Sequence, residues 1–282
     1  MRILVLGGSG QLGRALLPAL ADHEVLAPPR GRLDLLDAAG VAQALDAFRP
    51  HRVVNAAAWT DVDGAEDHPE AAAQANEIGP ALLARATAER GIPLLHVSTD
   101  YVFDGAAERP YTEEAEPAPL QVYGRTKLAG ERRVQEANPA HYIVRTAWLF
   151  TPGGRNFAST IPERASHGPL RVVDDQRGSP TFAPHLAAAL AKLLLTEAYG
   201  VHHLAGTGPG MSWYELARAL LAQLGQRARV EPISGREAAR PARRPAYSVL
   251  GTTRTHGIAL PPAEEGIRAF AELLSGRRAR PG

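Results

Sequence analysis

The chain has 282 residues, 45% of them hydrophobic and 22% charged, enough for one large domain or a large domain with a smaller partner. The formal net charge of +1 favours neither nucleic acid nor an anionic membrane as a partner. Cysteine is absent, which excludes disulfides, thiolate-bound metals and thiol nucleophiles. The sequence shows neither a signal peptide nor an apolar run that could span a membrane, so we expect a cytoplasmic protein.

Short apolar runs alternate with longer amphipathic segments through the first 150 residues. The pattern predicts strands at 3–6, 24–26, 52–55, 94–98 and 142–145, and helices at 11–21, 41–48, 69–90 and 122–138. This spacing is typical of right-handed βαβ crossovers. It predicts an α/β fold of the Rossmann-like type, a doubly wound parallel sheet with helices on both faces.

The alternation is looser after residue 150. Helices are predicted at 156–165, 183–197, 212–224 and 261–274, and strands at 170–173, 201–204 and 229–232. We therefore assign residues 1–150 to a dinucleotide-binding domain and residues 151–282 mainly to a smaller substrate-binding lobe. This division allows some segments after residue 150 to belong to the sheet of the first domain.

A glycine triplet follows the first predicted strand and begins the first predicted helix. Gly7 permits the sharp turn, Gly10 lets the backbone approach a pyrophosphate, and Gly13 lets the helix pack closely on the sheet. The helix N-terminus offers unpaired N–H groups to the phosphates. We therefore predict dinucleotide binding here, with Gln11 and Leu12 of the same turn among the contacts.

The segment after the second predicted strand bears on the choice of cofactor. An acidic residue would bind the ribose hydroxyls of NAD there, but the chain has Arg30 and Arg32, which could pair with a 2′-phosphate. The alternative is a merely exposed loop. The pattern favours NADPH, with NADH also accepted, and it places Asp34 and Leu35 near the adenine.

Tyr123 and Lys127 form a Y-x-x-x-K motif at the start of a predicted helix. A spacing of four residues places both side chains on one helical face. We expect the lysine ammonium to lower the phenol pKa, so that Tyr123 can exchange a proton with a carbonyl or alcohol oxygen. By itself the motif also occurs by chance, as an amphipathic tyrosine with a solvated lysine.

Val97 and Thr99 lie at the carboxyl end of the fourth predicted strand, where doubly wound sheets bind their ligands. The Thr99 hydroxyl could donate to the same carbonyl oxygen and stabilise the charge that develops during hydride transfer. The glycine turn, the strand-end hydroxyl and Y-x-x-x-K, in this order, together predict a ketoreductase.

These motifs resemble the extended short-chain dehydrogenases and, within them, the dTDP-4-dehydrorhamnose reductase family. The matching stretches span nearly the whole chain: 7–13, 53–60, 62–63, 65–66, 98–105, 123–131, 145–150, 156–157, 175–181 and 242–245. The run STDYVFDG at 98–105, followed by YGRTKLAGE at 123–131, is far more specific than the superfamily motifs alone.

The resemblance implies reduction of dTDP-4-dehydro-L-rhamnose to dTDP-L-rhamnose. By position, Thr99 polarises the keto oxygen, Tyr123 donates the proton, and Lys127 holds the nicotinamide ribose and tunes Tyr123. Further positions carry over as substrate contacts and as cofactor contacts. The substrate contacts are Val62, Asp100 and Trp148, and the cofactor contacts are Val97, Ala58, Thr60 and Trp59, where the family often has His or Tyr.

Several alternative functions also fit the sequence. An epimerase or dehydratase acting on another nucleotide sugar fits, because Asp100 occupies the place of a dehydratase acid. A non-catalytic nucleotide-binding regulator, like the regulatory subunit of methionine adenosyltransferase, also resembles this family. The resemblance allows a homodimer with Mg²⁺ at its contact, although no local motif assigns that ion. Arg243 and Arg244 are candidates for the nucleotide diphosphate, and Trp213 is expected to serve packing.

Overall fold

The computed structural model describes residues 1–254 and 257–278. In chain order the strands are β1 Arg2–Leu6, β2 Glu24–Leu26, β3 Arg52–Asn55, β4 Leu94–Thr99, β5 His141–Thr146, β6 Leu149–Phe150, β7 Leu170–Val173, β8 Arg177–Gly178, β9 Thr181–Phe182, β10 Gly200–His203, β11 Met211–Ser212 and β12 Val230–Ile233. The helices are α1 Gln11–Ala19, α2 Ala38–Phe48, α3 Gly64–Asp67, α4 Pro69–Ala73, α5 Gly79–Ala88, α6 Val122–Ala137, α7 Phe157–Ala165, α8 Ala183–Leu193, α9 Trp213–Gln223, α10 Gly235–Ala238 and α11 Ala263–Arg278.

Six parallel strands form the central sheet, in the order β10-β5-β4-β3-β1-β2. The direction of winding reverses between β1 and β3, and doubly wound sheets bind ligands at the carboxyl ends of strands beside such a point. The predicted α/β fold with a parallel sheet is confirmed.

Two apolar clusters cover the two faces of the sheet. On one face Leu16 of α1 and Leu190 of α8 pack with Val5 and Val144. On the other face the buried side chains of α2, α5 and α6 pack with β1, β3 and β5; they are Val41, Leu45, Leu83, Ala84 and Val134. Both faces are covered because the helices alternate sides, which explains the continuous apolar runs of the strands.

Part of the chain after residue 150 belongs to the central sheet. Strand β10 pairs with β5, so that His202 lies beside Val144, and helix α8 packs against α1. The predicted helix at 183–197 ends earlier, at Leu193. The other later elements pack around α9 in two separate clusters, which include Phe270 and Leu170. We propose that these other elements form the substrate-binding lobe.

The single helix predicted at 69–90 is divided in the structure. A π-helical segment, Gln74–Ile78, separates α4 from α5. It contains the fully buried Asn76, whose side chain accepts from the backbone N–H of Trp59 at 2.9 Å and donates to the Thr126 hydroxyl at 3.1 Å. Wide turns of this kind often lie beside functional sites, and here the segment joins the loop after β3 to α6.

Helix α9 begins where the sequence predicts it to begin. Ser212 and Glu215 form the predicted capping box, in which each side chain accepts from the backbone N–H of the other residue. Within the described ranges, no helix is both long and apolar enough to cross a membrane.

Candidate active site

A cavity of about 780 Å³ opens at the carboxyl ends of the central strands. Most of the residues that the sequence predicts for the cofactor, the substrate and catalysis line it. They are Gly7, Gly10, Gln11, Leu12, Arg30, Asp34, Leu35, Ala58, Thr60, Val62, Val97, Thr99, Asp100, Tyr123, Lys127 and Trp148. Gly13 and Trp59 do not line the cavity wall, and neither do the alternative cations Arg32, Arg243 and Arg244.

The glycine turn after β1 has no room for side chains. Gly7 has a φ of +79°, and a Cβ there would lie 2.5 Å from the backbone nitrogen of Ala57. A Cβ on Gly13 would lie 2.2 Å from the carbonyl oxygen of Gly7. Gly13 therefore acts by letting α1 pack against the turn, which is the role that the sequence assigns to it.

The N-terminus of α1 points its N–H groups toward this turn without a side-chain cap. The N-cap residue of α1 is Gly10, so no side chain at this position caps the helix, and the first turn of α1 contains no acidic residue. The buried Oε1 of Gln11 makes no hydrogen bond within the described part of the chain. A helix start with free donors favours an anion, and the turn therefore fits the pyrophosphate of a dinucleotide.

The side chains beyond β2 line the far end of the cavity. Arg30 is 82% exposed and lies 3.6 Å from the carboxylate of Asp34, and Leu35 lies beside them. Arg32, the alternative cation in the sequence, is not among the lining residues. Arg30 is thus the arginine of this loop that lines the cavity.

Trp59 does not line the cavity, but its hydrogen bonds fix the loop after β3. Its backbone N–H donates to Asn76, its carbonyl accepts from the same amide, and its indole N–H donates to the carbonyl of Asp61 at 2.8 Å. Its neighbours Ala58 and Thr60 line the cavity instead. The cofactor contacts predicted for this segment stay predictions, with Ala58 and Thr60 as the members that line the cavity.

Thr99 and Asp100 form a buried pair at the end of β4. The Thr99 hydroxyl donates to Oδ1 of Asp100 at 3.1 Å, and Oδ2 accepts from the Ser248 hydroxyl at 2.6 Å. Burial raises the pKa of the Asp100 carboxyl to about 7, although both hydroxyl groups favour its charged form. Asp100 can therefore carry or release a proton near neutral pH.

Ser248 is a site residue that the sequence reasoning missed. It lies 148 positions from Asp100, and nothing in the segment around it resembles a catalytic motif. The only available signal is its place just after Ala242–Pro245, which matches the family. A contact this distant becomes visible only when the chain has folded.

Burial raises the pKa of the Tyr123 phenol to about 12, hydrogen bonding from Thr99 lowers it, and the Asp100 charge raises it. The expectation that Lys127 lowers this pKa is wrong for this structure. The reason is that removal of the buried phenol from water outweighs the hydrogen bond from Thr99, which is the group that favours the phenolate. The phenol therefore keeps its proton at neutral pH.

Lys127 is almost completely buried, with 2% of its surface exposed. Nζ donates to the carbonyl of Val97 at 2.7 Å and lies 3.2 Å from Nε2 of His96. Burial lowers the pKa of the ammonium to about 8, while the charge of Glu131 raises it. Glu131 is in turn held by Arg145, at 2.7 Å between Nη2 and Oε2.

Trp148 and Trp213 stack face to face at the substrate end of the cavity. Their ring centroids are 3.5 Å apart, and the ring planes differ by 4°. Trp148 has a φ of +45°, and Gly178 packs so closely that a Cβ there would lie 2.4 Å from the indole. The expectation that Trp213 serves packing is incomplete, because Trp213 also lines the cavity.

The two arginines proposed for the nucleotide diphosphate lie elsewhere. Arg244 forms a bidentate ion pair with Asp63, and neither Arg243 nor Arg244 lines the cavity. Two other arginines, Arg14 and Arg155, do line the cavity. The segment folds back against the loop after β3, and a contact of Arg243 or Arg244 with the diphosphate stays a prediction.

Four buried polar atoms of lining residues lack hydrogen bonds within the described chain: Gln11 Oε1, Ser98 Oγ, Thr146 Oγ1 and Trp148 Nε1. Buried polar atoms are normally paired, so a polar ligand suits these positions. Together with the glycine turn, they show that the cavity fits a dinucleotide with a polar substrate. In the described ranges, His, Asp and Glu residues form no group of three that could hold a metal ion.

A Rossmann-like sheet, a glycine turn at α1 and a Thr–Tyr–Lys group in one cavity define the class of NAD(P)-dependent short-chain reductases and epimerases. The chain belongs within that class to the RmlD substrate binding domain family, whose model matches residues 1–275. This match confirms the family resemblance predicted from the sequence motifs.

Related proteins are similar over nearly their full length. The dTDP-4-dehydrorhamnose reductase of Streptomyces griseus is 45% identical, covering 99% of this chain and 96% of its own. That of Sinorhizobium fredii is 40% identical, covering 99% of this chain and 100% of its own. A crystal structure of the Bacillus anthracis dTDP-4-dehydrorhamnose reductase in complex with NADP is 35% identical, with a TM-score of 0.93, covering 95% of this chain and 98% of its own.

Proposed function

We propose that this protein reduces dTDP-4-dehydro-L-rhamnose to dTDP-L-rhamnose with NADPH. The observation that carries the proposal is the convergence of Thr99, Tyr123 and Lys127 on one cavity with the glycine turn and Trp148. Relatives that are 40–45% identical over nearly the whole chain are named for this reaction. The cysteine-free composition further favours a cytoplasmic site of action.

The reaction needs one hydride and one proton. The reduced nicotinamide supplies the hydride to the keto carbon when the cofactor is bound. Tyr123 supplies the proton to the keto oxygen, and its raised pKa of about 12 keeps the phenol protonated beforehand. The resting protonation state of Tyr123 is therefore the one that reduction requires.

Thr99 assists from the end of β4. In this structure the Thr99 hydroxyl donates to the Asp100 carboxyl. When that carboxyl is protonated and therefore uncharged, the hydroxyl can donate to the keto oxygen instead. A donor aimed at the developing alkoxide lowers the barrier in a site from which water is excluded. Asp100, Val62 and Trp148 would contact the sugar around this oxygen.

The cofactor would extend from the glycine turn to the end of β4. Lys127 would hold the nicotinamide ribose, Asp34 and Leu35 would contact the adenosine, and Arg30 would pair with its 2′-phosphate. Binding of NADP by the Bacillus anthracis relative supports the choice of NADPH. The exposed position of Arg30 supports it as well, because its guanidinium can turn toward a phosphate.

The Asp100 carboxyl supports a second candidate function, that of a nucleotide-sugar dehydratase. A protonatable carboxyl beside Thr99 is what a nucleotide-sugar dehydratase needs, and the structure has such a group with a pKa of about 7. A dehydratase or epimerase returns its hydride to the product and consumes no cofactor. The balance of NADPH oxidised against product formed therefore separates these activities from a reductase.

One assay tests the proposal. Enzyme, dTDP-4-dehydro-6-deoxyhexose and NADPH are mixed, and the absorbance of the reduced nicotinamide is followed. We expect oxidation that requires the sugar. Product without net oxidation would indicate an epimerase, and nucleotide binding without any chemistry would indicate a regulatory subunit.

The same assay applies to the proposed acid. Tyr123→Phe should lower kcat at least about 100-fold, the usual contribution of a general acid, and leave NADPH binding unchanged. Tyr199→Phe is the matched control, because that ring packs against Tyr142 outside the cavity. Near-normal turnover of Tyr123→Phe would remove Tyr123 from the mechanism.

A further inference from the structure

A continuous line of hydrogen bonds runs beneath the cavity and ends at Lys127. The backbone N–H of Ala57 donates to Oδ1 of Asn55 at 3.1 Å, and Nδ2 of Asn55 lies 3.0 Å from Nδ1 of His96. Nε2 of His96 lies 3.2 Å from Nζ of Lys127, which donates to the carbonyl of Val97 at 2.7 Å. Asn55, His96 and Lys127 are all buried.

The backbone N–H of Ala57 determines the direction of the bonds as far as His96. The N–H of Ala57 can only donate, so it requires the oxygen of the Asn55 amide. The amide nitrogen, a pure donor, then faces Nδ1 of His96. Nδ1 must therefore accept, and a neutral imidazole that accepts at Nδ1 carries its proton on Nε2.

His96 is neutral in this setting. Burial lowers its pKa well below the ordinary value, and the charge of Lys127 lowers it further. The N–H on Nε2 then points at Nζ of Lys127. An ammonium has only donors and would oppose this N–H, whereas a neutral amine has a lone pair that accepts it.

We propose that Asn55 and His96 are positioning residues that bias Lys127 toward the neutral amine. The neutral amine accepts the Nε2–H of His96, whereas the ammonium would oppose it.

Other charged groups around Lys127 do not supply this bias. Glu131, one turn along α6, raises the pKa of Lys127, and its charge is shared with Arg145 of β5 through contacts of 2.7 and 3.0 Å. Asp100 and Tyr123 line the same cavity as Lys127, and neither is among the groups that shift the pKa of Lys127. The imidazole of His96 is the group whose tautomer opposes the ammonium directly.

The composition makes a direct test possible. The chain has two lysines, Lys127 and the exposed Lys192. With ¹³C-labelled lysine, an NMR titration therefore follows Lys127 with Lys192 as an internal reference. The tautomer of His96 is read from its ¹⁵N shifts, with His96→Gln identifying its signals. We expect the Nε2–H tautomer in the wild-type protein.

Asn55→Asp reverses the direction of the bonds. The aspartate accepts from Ala57 and also from Nδ1 of His96, so Nε2 becomes an acceptor for the ammonium. We expect the tautomer to switch and the Lys127 midpoint to rise by at least about one pH unit, the equivalent of one hydrogen bond. Asn138→Asp is the matched control, since Asn138 is equally buried but bonds to Thr87 and Ile92 instead.

Three results would overturn the proposal. The first is a wild-type His96 that carries its proton on Nδ1, which decides the matter even if Asn55→Asp does not fold. The second is a raised Lys127 midpoint with an unchanged tautomer, because the added charge alone would then explain it. The third is an equal rise in Asn138→Asp. All three readouts are independent of the substrate, so failure of the proposed function would be recognised separately in the absorbance assay.

Discussion

The Arg244 guanidinium forms a bidentate ion pair with Asp63 across 181 residues of chain, with contacts of 3.0 and 2.9 Å. The backbone N–H of Ala242 donates to the same carboxylate at 3.1 Å. The burial of Asp63 raises its pKa, but these hydrogen bonds and arginine charges outweigh that effect and hold the pKa below its ordinary value. The pair joins the loop after β3, next to Val62 of the cavity wall, to the segment that carries Ser248.

Removing the negative charge of Asp63 should destabilise the protein. Asp63→Asn leaves the half-buried Arg244 without its partner, and we expect a loss of about 1–2 kcal/mol in unfolding free energy. Asp46→Asn is the control, because Asp46 has the same bidentate geometry to Arg90 but is 64% exposed. Urea unfolding near neutral pH should show a clearly smaller loss for the control. Equal losses would mean that burial of the pair does not matter.

Asp100 should make stability depend on pH. Its folded-state pKa of about 7 lies above the unfolded value, so the folded chain binds the proton more tightly and loses stability as pH rises between them. Relative to Asp100→Asn, the wild-type protein should lose up to about 3 kcal/mol between about pH 5 and about pH 8. Urea unfolding of both proteins at a series of pH values measures this difference. A constant difference would show that Asp100 stays ionised throughout.

Arg30 should set the preference for NADPH. Arg30→Ala removes the cation beside Asp34, and we expect KM for NADPH to rise about tenfold, as for one charge-assisted contact. KM for NADH should change little. Arg32→Ala is the control, because Arg32 does not line the cavity. Initial rates with both cofactors provide the check, and a parallel rise for NADH would contradict this assignment.

Trp213 should support substrate binding through Trp148. Trp213→Ala removes one face of the stacked pair, and we expect KM for the sugar nucleotide to rise about threefold to tenfold with NADPH affinity unchanged. Loss of the coupled tryptophan signal in near-ultraviolet circular dichroism should accompany it. Trp59→Phe, outside the cavity, is expected to alter neither quantity. A normal KM for Trp213→Ala would limit the pair to packing.

Local sequence patterns were sufficient where function depends on a short run of residues. The glycine turn, the start of α6 at Tyr123 and the capping box of Ser212 each depend on neighbours within a few positions. Other features had no local signal. The π-helical segment at Asn76 and the left-handed conformation of Trp148 both result from packing against distant elements. The direction of the Tyr123 pKa shift depends on burial, which the Y-x-x-x-K spacing does not contain.

The sequence by itself determined the alternation of strands and helices in the first 150 residues, the phosphate-binding turn and the family, because these follow from periodicity and from motifs of neighbouring residues. Only the tertiary structure decided the partners of residues in and around the site: Ser248 for Asp100, Trp213 for Trp148, His96 for Lys127 and Asp63 for Arg244. The tertiary structure also decided the proton affinities of Asp100, Tyr123 and Lys127. They depend on how far each group is removed from water and on which dipoles face it, and folding brings those groups together from distant parts of the chain.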